Sequence, residues 1–256
     1  FQLMIAPEDN PSDWSALQAH KAGRLLLDAI PFENHLVTLS REKALPRLTV
    51  TSYETGESQQ VEFDENIYAL GVDEGFEYDT PILRFSYSSM TTPEQVFDYH
   101  METADRQLIH EQIIPSGHNS ENYICERQWA TAKDGAKIPI SLMMHKDTPR
   151  DGTAPVLLYG YGSYGITIPA SFSASRLSLV DRGFIYAIAH IRGSKAMGHD
   201  WFLQGRGKTK MNTFTDFISS AQHLIDVGLT AKGNITIHGG SAGGLLVGAA
   251  VNLAPN

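Results

Sequence analysis

The chain has 256 residues, of which 42% are hydrophobic and 19% charged, enough apolar side chains for a large core and for one or two domains. With 22 Gly, 12 Pro and one Cys, the composition excludes a disordered chain, a collagen and a disulfide-stabilised miniprotein. No apolar run reaches the roughly 20 residues of a membrane-spanning helix, and no signal-peptide pattern is visible. The chain begins at Phe1 and stops at Asn256, and we expect both ends to be cuts in a longer protein.

The net charge of −9 is unevenly distributed. Residues 1–118 contain 20 acidic and 7 basic residues, a net charge of −13, whereas residues 119–256 contain 9 acidic and 13 basic residues, a net charge of +4. This difference favours two domains. The acidic half argues against nucleic acid as a partner. It would attract cationic ligands; the alternative is an ordinary solvated surface. The single Cys125 cannot form an internal disulfide, which fits a reducing compartment. It lies in an alternating stretch, which favours a buried structural residue over a nucleophile.

Residues 1–113 predict short strands separated by turns, because Val, Leu, Ile, Phe and Tyr dominate short runs without a helical period. The predicted strands are 24–30, 35–40, 47–52, 82–87, 95–100 and 108–113. A repeat with an offset of 47 relates 35–40 to 82–87 and Pro46 to Pro93. Four strands in 40–50 residues form a β-propeller blade, and two blades cannot close a ring. The alternative is a chance match within a β-sandwich.

After a predicted linker at 114–121, the pattern changes to α/β. A hairpin is predicted from 126–132 and 137–144 around Asp134-Gly135, and further strands at 154–159, 184–190 and 234–238. Helical patterns cover 171–181 and 213–227. Strands that alternate with helices predict a mostly parallel sheet covered on both faces. These patterns divide the chain into a strand-rich part at 1–116 and an α/β part at 117–256.

The motif Gly239-x-Ser241-x-Gly243 lies between a predicted strand and a predicted helix, the context of the nucleophile elbow of α/β-hydrolases. The tight turn makes the serine hydroxyl project above the sheet, and side chains two residues before and after it would collide with the crossing backbone. Ala242 then begins a helix, so its amide can stabilise an oxyanion. The alternative is an ordinary glycine-rich turn between strand and helix.

A second glycine-rich loop, Gly160-x-Gly162-x-x-Gly165, follows the strand at 154–159. With Asp181 about 20 residues further on, it matches the dinucleotide fingerprint of a nicotinamide-dependent oxidoreductase. That fingerprint must open a helix at once, but residues 166–169 predict extended chain and end in Pro169. In a hydrolase, a loop after an early strand supplies the other half of the oxyanion hole, and here it offers tyrosine hydroxyls as donors.

A serine nucleophile needs a histidine base and an acid that orients it. All ten histidines precede Ser241, whereas α/β-hydrolases have the order serine, acid, histidine. We therefore expect the acid and the base beyond Asn256. We expect His238 to be a structural strand-end residue, and His190 and His199 to be loop residues.

Together these motifs resemble the prolyl oligopeptidase family of serine peptidases, in particular its oligopeptidase B branch. The matching stretches are Leu-Leu-Tyr-Gly-Tyr-Gly-Ser-Tyr-Gly at 157–165, Arg-Leu-Ser-Leu-Val-Asp-Arg-Gly-Phe at 176–184, His-Ile-Arg-Gly at 190–193, Asn-Thr-Phe-Thr-Asp-Phe at 212–217 and Gly-Gly-Ser-Ala-Gly-Gly at 239–244, with 50–56 and 85–93 upstream. The chain departs from the family at 194–197, where many members have Gly-Gly-Gly-Glu, and at Pro169 and Ser171, where some have Asp.

The resemblance implies an α/β-hydrolase domain capped by a seven-bladed propeller that admits only short peptides. Residues 1–116 would then be the last blades of the propeller, and residues 117–256 the first half of the α/β-hydrolase domain. It implies Ser241 as nucleophile, the Tyr161 hydroxyl and the Ala242 amide as the oxyanion hole, and Tyr164 as a substrate-binding aromatic residue. The reaction that the resemblance implies requires no cofactor and no metal.

We therefore expect part of a cytoplasmic serine oligopeptidase that cleaves short, basic peptides after Arg or Lys through an acyl-enzyme. Neither nucleic acid nor membrane is an expected partner, and the oligomeric state stays open. The 256 residues alone should be inactive, because the triad acid and histidine are missing. Three alternatives remain: a prolyl, dipeptidyl or acylaminoacyl peptidase, an esterase of the same fold, or a propeller-hydrolase that only binds peptides.

Overall fold

The N-terminal half of the chain is built from small antiparallel sheets. The computed structural model describes residues 1–73, 75 and 77–255. After the two-stranded pair β1 (Leu3–Ile5) and β2 (Ser15–Gln18), two four-stranded sheets follow in which consecutive strands are neighbours. The first contains β3 (Arg24–Pro31), β4 (His35–Glu42), β5 (Leu45–Ser52) and β6 (Ser58–Gln60), and the second β7 (Ala69–Asp73), β8 (Ile82–Ser88), β9 (Gln95–His100) and β10 (Arg106–Glu111).

The sequence repeat corresponds to equivalent strands in the two sheets. Its two copies begin at His35 and Ile82, the first residues of β4 and β8, which are the second strands of their sheets. Leu48 from the first sheet and Phe85 from the second belong to one apolar core. Both sheets therefore have the four-stranded antiparallel form expected of propeller blades.

The short strands β6 and β7 were not predicted from the sequence, and the last strand, β10, was predicted two residues too late. Strand β6 is Ser-Gln-Gln and has no apolar alternation, so only its pairing with β5 forms it. Strand β7 contains Gly71, which weakens the strand signal. The strand predicted at 108–113 begins and ends two residues earlier as β10.

The C-terminal half contains a five-stranded sheet with helices on both faces. A 3₁₀ turn at Ser120–Asn122 leads into it. Its strands are β11 (Tyr123–Thr131), β12 (Lys137–His145), β13 (Val156–Tyr159), β14 (Ile185–Ala189) and β15 (Ile235–His238), and its helices are α1 (Ala174–Val180), α2 (His199–Leu203), α3 (Met211–Asp226) and α4 (Ala242–Leu253). No helix in the described part of the chain is long and apolar enough to cross a membrane.

The strand order explains where a site can form. The order is β11-β12-β14-β13-β15; β11 and β12 form the antiparallel hairpin, and β14, β13 and β15 are parallel. The chain leaves β13 toward β14 on one side and reaches β15 on the other side. Such a switch opens a crevice at the carboxyl ends of the strands, where β13 ends at Tyr159 and β15 at His238.

Two apolar cores hold the helices to the sheet. Phe214 and Phe217 of α3 and Leu246 of α4 pack on one face, and Leu177 and Val180 of α1 pack on the other. The predicted helix 213–227 is α3, which begins two residues earlier.

Two further expectations about the helices were inaccurate. The helix predicted at 171–181 is only Ala174–Val180, because residues 171–173 are not helical. His199, expected in a loop, is the first residue of α2.

The halves meet at the tip of the β4–β5 hairpin. Its two-residue turn, Lys43-Ala44, has positive φ at both positions, as a type I′ turn requires. The N–H of Ala44 donates to the Ala196 carbonyl at 2.9 Å, and Arg127 donates to the Ala44 carbonyl at 3.3 Å. The Ala44 methyl group lies in the core of the C-terminal half.

Cys125 lies on β11 and packs against the core on the α1 face. Burial, together with the charge of Glu65, raises the pKa of its thiol to about 12. The thiolate is therefore disfavoured at neutral pH, which supports a structural role over a nucleophilic one.

A buried ion pair ties α3 to the end of β14. The guanidinium of Arg192 donates to Asp216 through Nε at 2.9 Å and Nη2 at 2.6 Å, and its backbone N–H donates at 3.0 Å. Both side chains are buried. Burial raises the pKa of Asp216 and these donors oppose the shift; with three donors on its two oxygens, we assign it as a carboxylate. Asp134 in the β11–β12 turn binds the outer edge of the same guanidinium.

Replacing Asp216 with Asn should lower the free energy of unfolding by about 3–5 kcal/mol, because it leaves a buried cation without its counter-charge. The matched control is Asp226→Asn on the exposed surface of the same helix, for which we expect less than about 0.5 kcal/mol. Urea unfolding followed by circular dichroism measures both. Equal effects of the two substitutions would show that the pair does not hold α3.

Candidate active site at the carboxyl ends of the parallel strands

Ser241 occupies a strained turn between β15 and α4. Its backbone has φ 52° and ψ −120°, a region that residues with a side chain rarely adopt. The residue is solvent-exposed. Strain at an exposed, potentially nucleophilic side chain is typical of a functional position, and the strand–turn–helix context that the motif predicts is present.

The two glycines around Ser241 are required by close backbone contacts. A Cβ on Gly239 would collide with the carbonyl group of Gly243 and lie 2.9 Å from the carbonyl oxygen of Gly160. A Cβ on Gly243 would lie 2.8 Å from that same oxygen. Gly240, in contrast, has open space around its Cβ position. The sequence therefore fixes glycine where backbone crosses backbone, as expected from the motif.

Ala242 places its amide at the start of a twelve-residue helix. The amides of the next two residues close the turn: Gly243 donates to the Gly240 carbonyl at 2.7 Å and Gly244 to the Ser241 carbonyl at 2.8 Å. Within the described part of the chain, no backbone carbonyl accepts from Ala242. A free N–H at a helix N-terminus is suited to stabilise negative charge.

The loop at 160–165 runs directly beside this turn. The amide of Gly160 donates to the His238 carbonyl at 3.1 Å. The Cα and ring Cδ2 of Tyr161 each lie 3.7 Å from the position of a Cβ on Gly243, so Tyr161 packs against the first turn of α4. The structure thus brings Ser241, Ala242 and Tyr161 together.

Tyr164 lies further along the same loop and is exposed. Its side chain is 75% solvent-accessible and its backbone has φ 57°. This position allows contact with a ligand from solvent. No contact in the described structure joins Tyr164 to Ser241, so a substrate-binding role stays a prediction.

The loop does not have the form of a dinucleotide site. The chain from residue 166 to residue 173 contains no helix, and α1 begins nine residues after Gly165. The helix N-terminus that should face a pyrophosphate is therefore absent from this loop. Among the described residues, no group of three or more His, Cys, Asp or Glu is arranged to hold a metal ion.

The histidines near the sheet ends are engaged elsewhere. Nε2 of His190 lies 2.8 Å from the Ser141 hydroxyl, and burial lowers the pKa of its ring well below the ordinary value. His238 is exposed at the end of β15 with its ring 5.3 Å from that of Tyr159. His199 packs edge-on against Phe1. Within residues 1–73, 75 and 77–255, no hydrogen bond joins a histidine to Ser241.

One further residue at this loop, Lys210, has no motif in the sequence that indicates its role. The ammonium group of Lys210 donates to the Gly162 carbonyl at 2.6 Å and to the Ser163 hydroxyl at 2.7 Å. In the sequence it belongs to Lys208-Thr209-Lys210, which has the composition of a solvated loop. Only the folded chain shows that Lys210 faces the glycine-rich loop 47 residues away.

Gly239→Ala should lower the free energy of unfolding by about 1–3 kcal/mol, because the added methyl group must displace backbone rather than a side-chain end. It should also slow labelling of Ser241 by a fluorophosphonate. Gly240→Ala is the matched control, since its methyl group meets nothing within 4 Å. Thermal unfolding and the labelling rate test both. A Gly239→Ala protein that behaves like Gly240→Ala would contradict the steric requirement.

Comparison with known proteins identifies both halves of the chain. Residues 1–112 match the family model "Prolyl oligopeptidase, N-terminal beta-propeller domain", and residues 170–256 match "Prolyl oligopeptidase family". The first match excludes the β-sandwich alternative. The boundary between 116 and 117 stays a prediction, although it falls between β10 and β11.

Individual relatives agree over nearly the whole chain. It is 42% identical to dipeptidyl aminopeptidase BI of Pseudoxanthomonas mexicana, covering 100% of this chain and 35% of that protein. It is 35% identical to protease 2 of Moraxella lacunata, covering 99% and 36%. The structure of oligopeptidase B from Leishmania major superposes with a TM-score of 0.91 at 37% identity, covering 99% and 37%. The chain therefore spans little more than a third of these relatives' length.

In this chain, propeller blades are thus followed by a hydrolase sheet with a strained serine between its strand β15 and helix α4. Two family models, and similarity to known members along nearly the whole of this chain, agree with this architecture. The chain belongs to the prolyl oligopeptidase family.

Proposed function

We propose that the protein containing this chain is a serine oligopeptidase that hydrolyses short peptides through an acyl-enzyme. The observation that carries the proposal is Ser241 in its strained turn, exposed between the amide of Ala242 and the loop of Tyr161. A serine beside a free amide at a helix N-terminus, with a tyrosine-bearing loop packed on the same turn, has the elements that acyl transfer needs.

In the proposed reaction, the Ser241 hydroxyl oxygen attacks the peptide carbonyl carbon while a histidine accepts its proton. The carbonyl oxygen becomes an oxyanion that accepts hydrogen bonds from the Ala242 amide and the Tyr161 hydroxyl. The same histidine then protonates the departing amine, and water hydrolyses the acyl-enzyme. The order serine, acid, histidine places the base and its acid after Ser241 in the protein, so we expect residues 1–256 alone to be inactive.

We propose that the substrates are basic peptides cleaved after Arg or Lys. Two observations support this: the net charge of −13 on residues 1–118, which attracts cations, and the similarity to oligopeptidase B over 99% of the chain. The lone Cys125, held as a thiol, is compatible with the cytoplasmic location that we also propose. We propose neither nucleic acid nor membrane as a partner.

A dipeptidyl peptidase is the second candidate function. It is favoured by the 42% identity to dipeptidyl aminopeptidase BI over the whole chain. The two candidates differ in whether the enzyme needs a free amino terminus two residues before the cleaved bond. Peptides of matched sequence with free and blocked amino termini separate them, and a panel with Arg, Pro and acyl-amino acid groups tests the prolyl, acylaminoacyl and esterase alternatives.

Ser241→Ala in the whole protein should lower kcat by on the order of 10⁶, the scale seen when a triad nucleophile is removed. Steady-state hydrolysis of a chromogenic Arg peptide measures it. The matched control is Ser178→Ala, a serine substitution in α1, which lies on the other face of the sheet. A loss below about tenfold would remove Ser241 from the mechanism.

Fluorophosphonate labelling addresses the non-catalytic alternative independently, because only an activated serine reacts. Labelling of the wild-type protein and its loss in Ser241→Ala are expected. An unlabelled, folded wild-type protein that still binds peptides would favour the binding module.

Raising NaCl from 0.05 to 0.5 M should lower kcat/KM for an Arg peptide by roughly threefold, because salt screens long-range attraction to the acidic half. An uncharged peptide is the control and should change little. The ratio of the two kcat/KM values against salt is the measurement. A ratio that stays flat would show that the acidic half does not attract the substrate.

A further inference from the structure

Lys210 contacts the part of the glycine-rich loop that separates the partly buried Tyr161 from the exposed Tyr164. The residue immediately precedes α3, and its Nζ lies 2.6 Å from the Gly162 carbonyl oxygen and 2.7 Å from the Ser163 hydroxyl oxygen. Gly162 follows Tyr161, and Ser163 precedes Tyr164. One ammonium group thus binds both residues of the bridge between the oxyanion donor and the predicted substrate-binding ring.

The ammonium group of Lys210 has no acidic partner to explain its position. No carboxylate of the described residues lies within 4.0 Å of its Nζ. The side chain is partly buried, its Nζ lies 5.7 Å from the ring centre of Phe214, and burial lowers its pKa. A desolvated cation is retained only where its hydrogen bonds offset the cost, and here those bonds go to the loop.

The loop is held on one side by packing and on the other by the hydrogen bonds from Lys210, which we call the clamp. Gly162 has φ 68°, and a Cβ there would collide with the Thr213 methyl group and lie 2.8 Å from Ile191. The Thr213 hydroxyl in turn donates to the Arg192 carbonyl at 2.9 Å. One side of the loop thus packs on α3 and on the segment that carries Arg192. Lys210 binds the Gly162 carbonyl and the Ser163 hydroxyl.

We infer that Lys210 is a positioning residue, whose contacts with Gly162 and Ser163 hold the Tyr161 hydroxyl where the oxyanion forms. Lys210 touches no reacting atom and acts through Tyr161. The inference rests on the proposed peptidase function.

The test compares Lys210→Met with Lys208→Met, an exposed lysine two residues earlier, in the whole protein. Loss of a charged hydrogen-bond donor to the loop should lower kcat about tenfold, with KM changed less than about twofold, because transition-state stabilisation is affected rather than ground-state binding. Lys208→Met should leave both constants unchanged. An unchanged kcat in Lys210→Met overturns the inference.

A double-mutant cycle tests whether Lys210 acts through Tyr161. Tyr161→Phe alone should cost on the order of 10²-fold in kcat, since it removes one oxyanion donor. In the Tyr161→Phe background, Lys210→Met should cost less than about twofold. The same tenfold loss in both backgrounds overturns positioning through Tyr161.

Hydrogen exchange separates failure of this inference from failure of the proposed function. If the wild-type protein neither hydrolyses peptides nor reacts with a fluorophosphonate, the peptidase proposal fails. The amides of Gly165 and Ile166, which donate to the Gly193 and Ser163 carbonyls, still report on the loop. They should exchange faster in Lys210→Met than in Lys208→Met, and equal rates overturn the clamp. If Lys210→Met does not fold, Ser163→Ala, which removes one acceptor, replaces it. This variant must also lower kcat and speed the exchange of the same two amides.

Discussion

Two turns meet at a distance that leaves no room for a side chain, and the site depends on that contact. The carbonyl of Gly160 faces both Gly239 and Gly243. The turns follow β13 and β15, which are hydrogen-bonded neighbours in the parallel sheet. The exposed hydroxyl of Ser241, the free amide of Ala242 and the adjacent Tyr161 all follow from this backbone contact. Chemistry that needs donors within a few tenths of an ångström is thereby fixed by close-packed main chain rather than by flexible side chains.

A buried ion pair supports the site from one side. Arg192 and Asp216 form a buried pair that joins the end of β14 to α3, and the first turn of α3 carries Thr213 against the glycine-rich loop. A buried ion pair stabilises a protein little more than well-packed apolar residues at the same positions would. Its hydrogen bonds, however, form only when the two side chains are correctly oriented. The loop therefore rests on a segment whose position is fixed by directional bonds.

The sequence was informative where the signal is local. The strained turn at Ser241 and both blades could be predicted, because glycine spacing and strand alternation are properties of neighbouring residues. Strand β6 and the early end of β10 could not, since the pairing partner decides them. The role of Lys210 lies outside any local pattern, because a lysine in a polar segment has the same composition whether it faces water or a carbonyl 48 residues away. No hydrogen bond joins Ser241 to a histidine among the described residues, so the expectation of a base and an acid comes from the general chemistry of serine nucleophiles.

The hairpin tip at Lys43-Ala44 has a consequence for cooperativity. Ala44 belongs by sequence to the blades but by burial to the core of the hydrolase half, and its backbone is bonded on both sides to that half. Its left-handed turn is conformationally costly for residues other than glycine and is held in place by those bonds. Moving the halves apart would expose an apolar contact and two polar backbone groups together. We therefore expect the two halves to unfold partly together, so that a substitution at the tip of a propeller strand also lowers the stability of the C-terminal sheet.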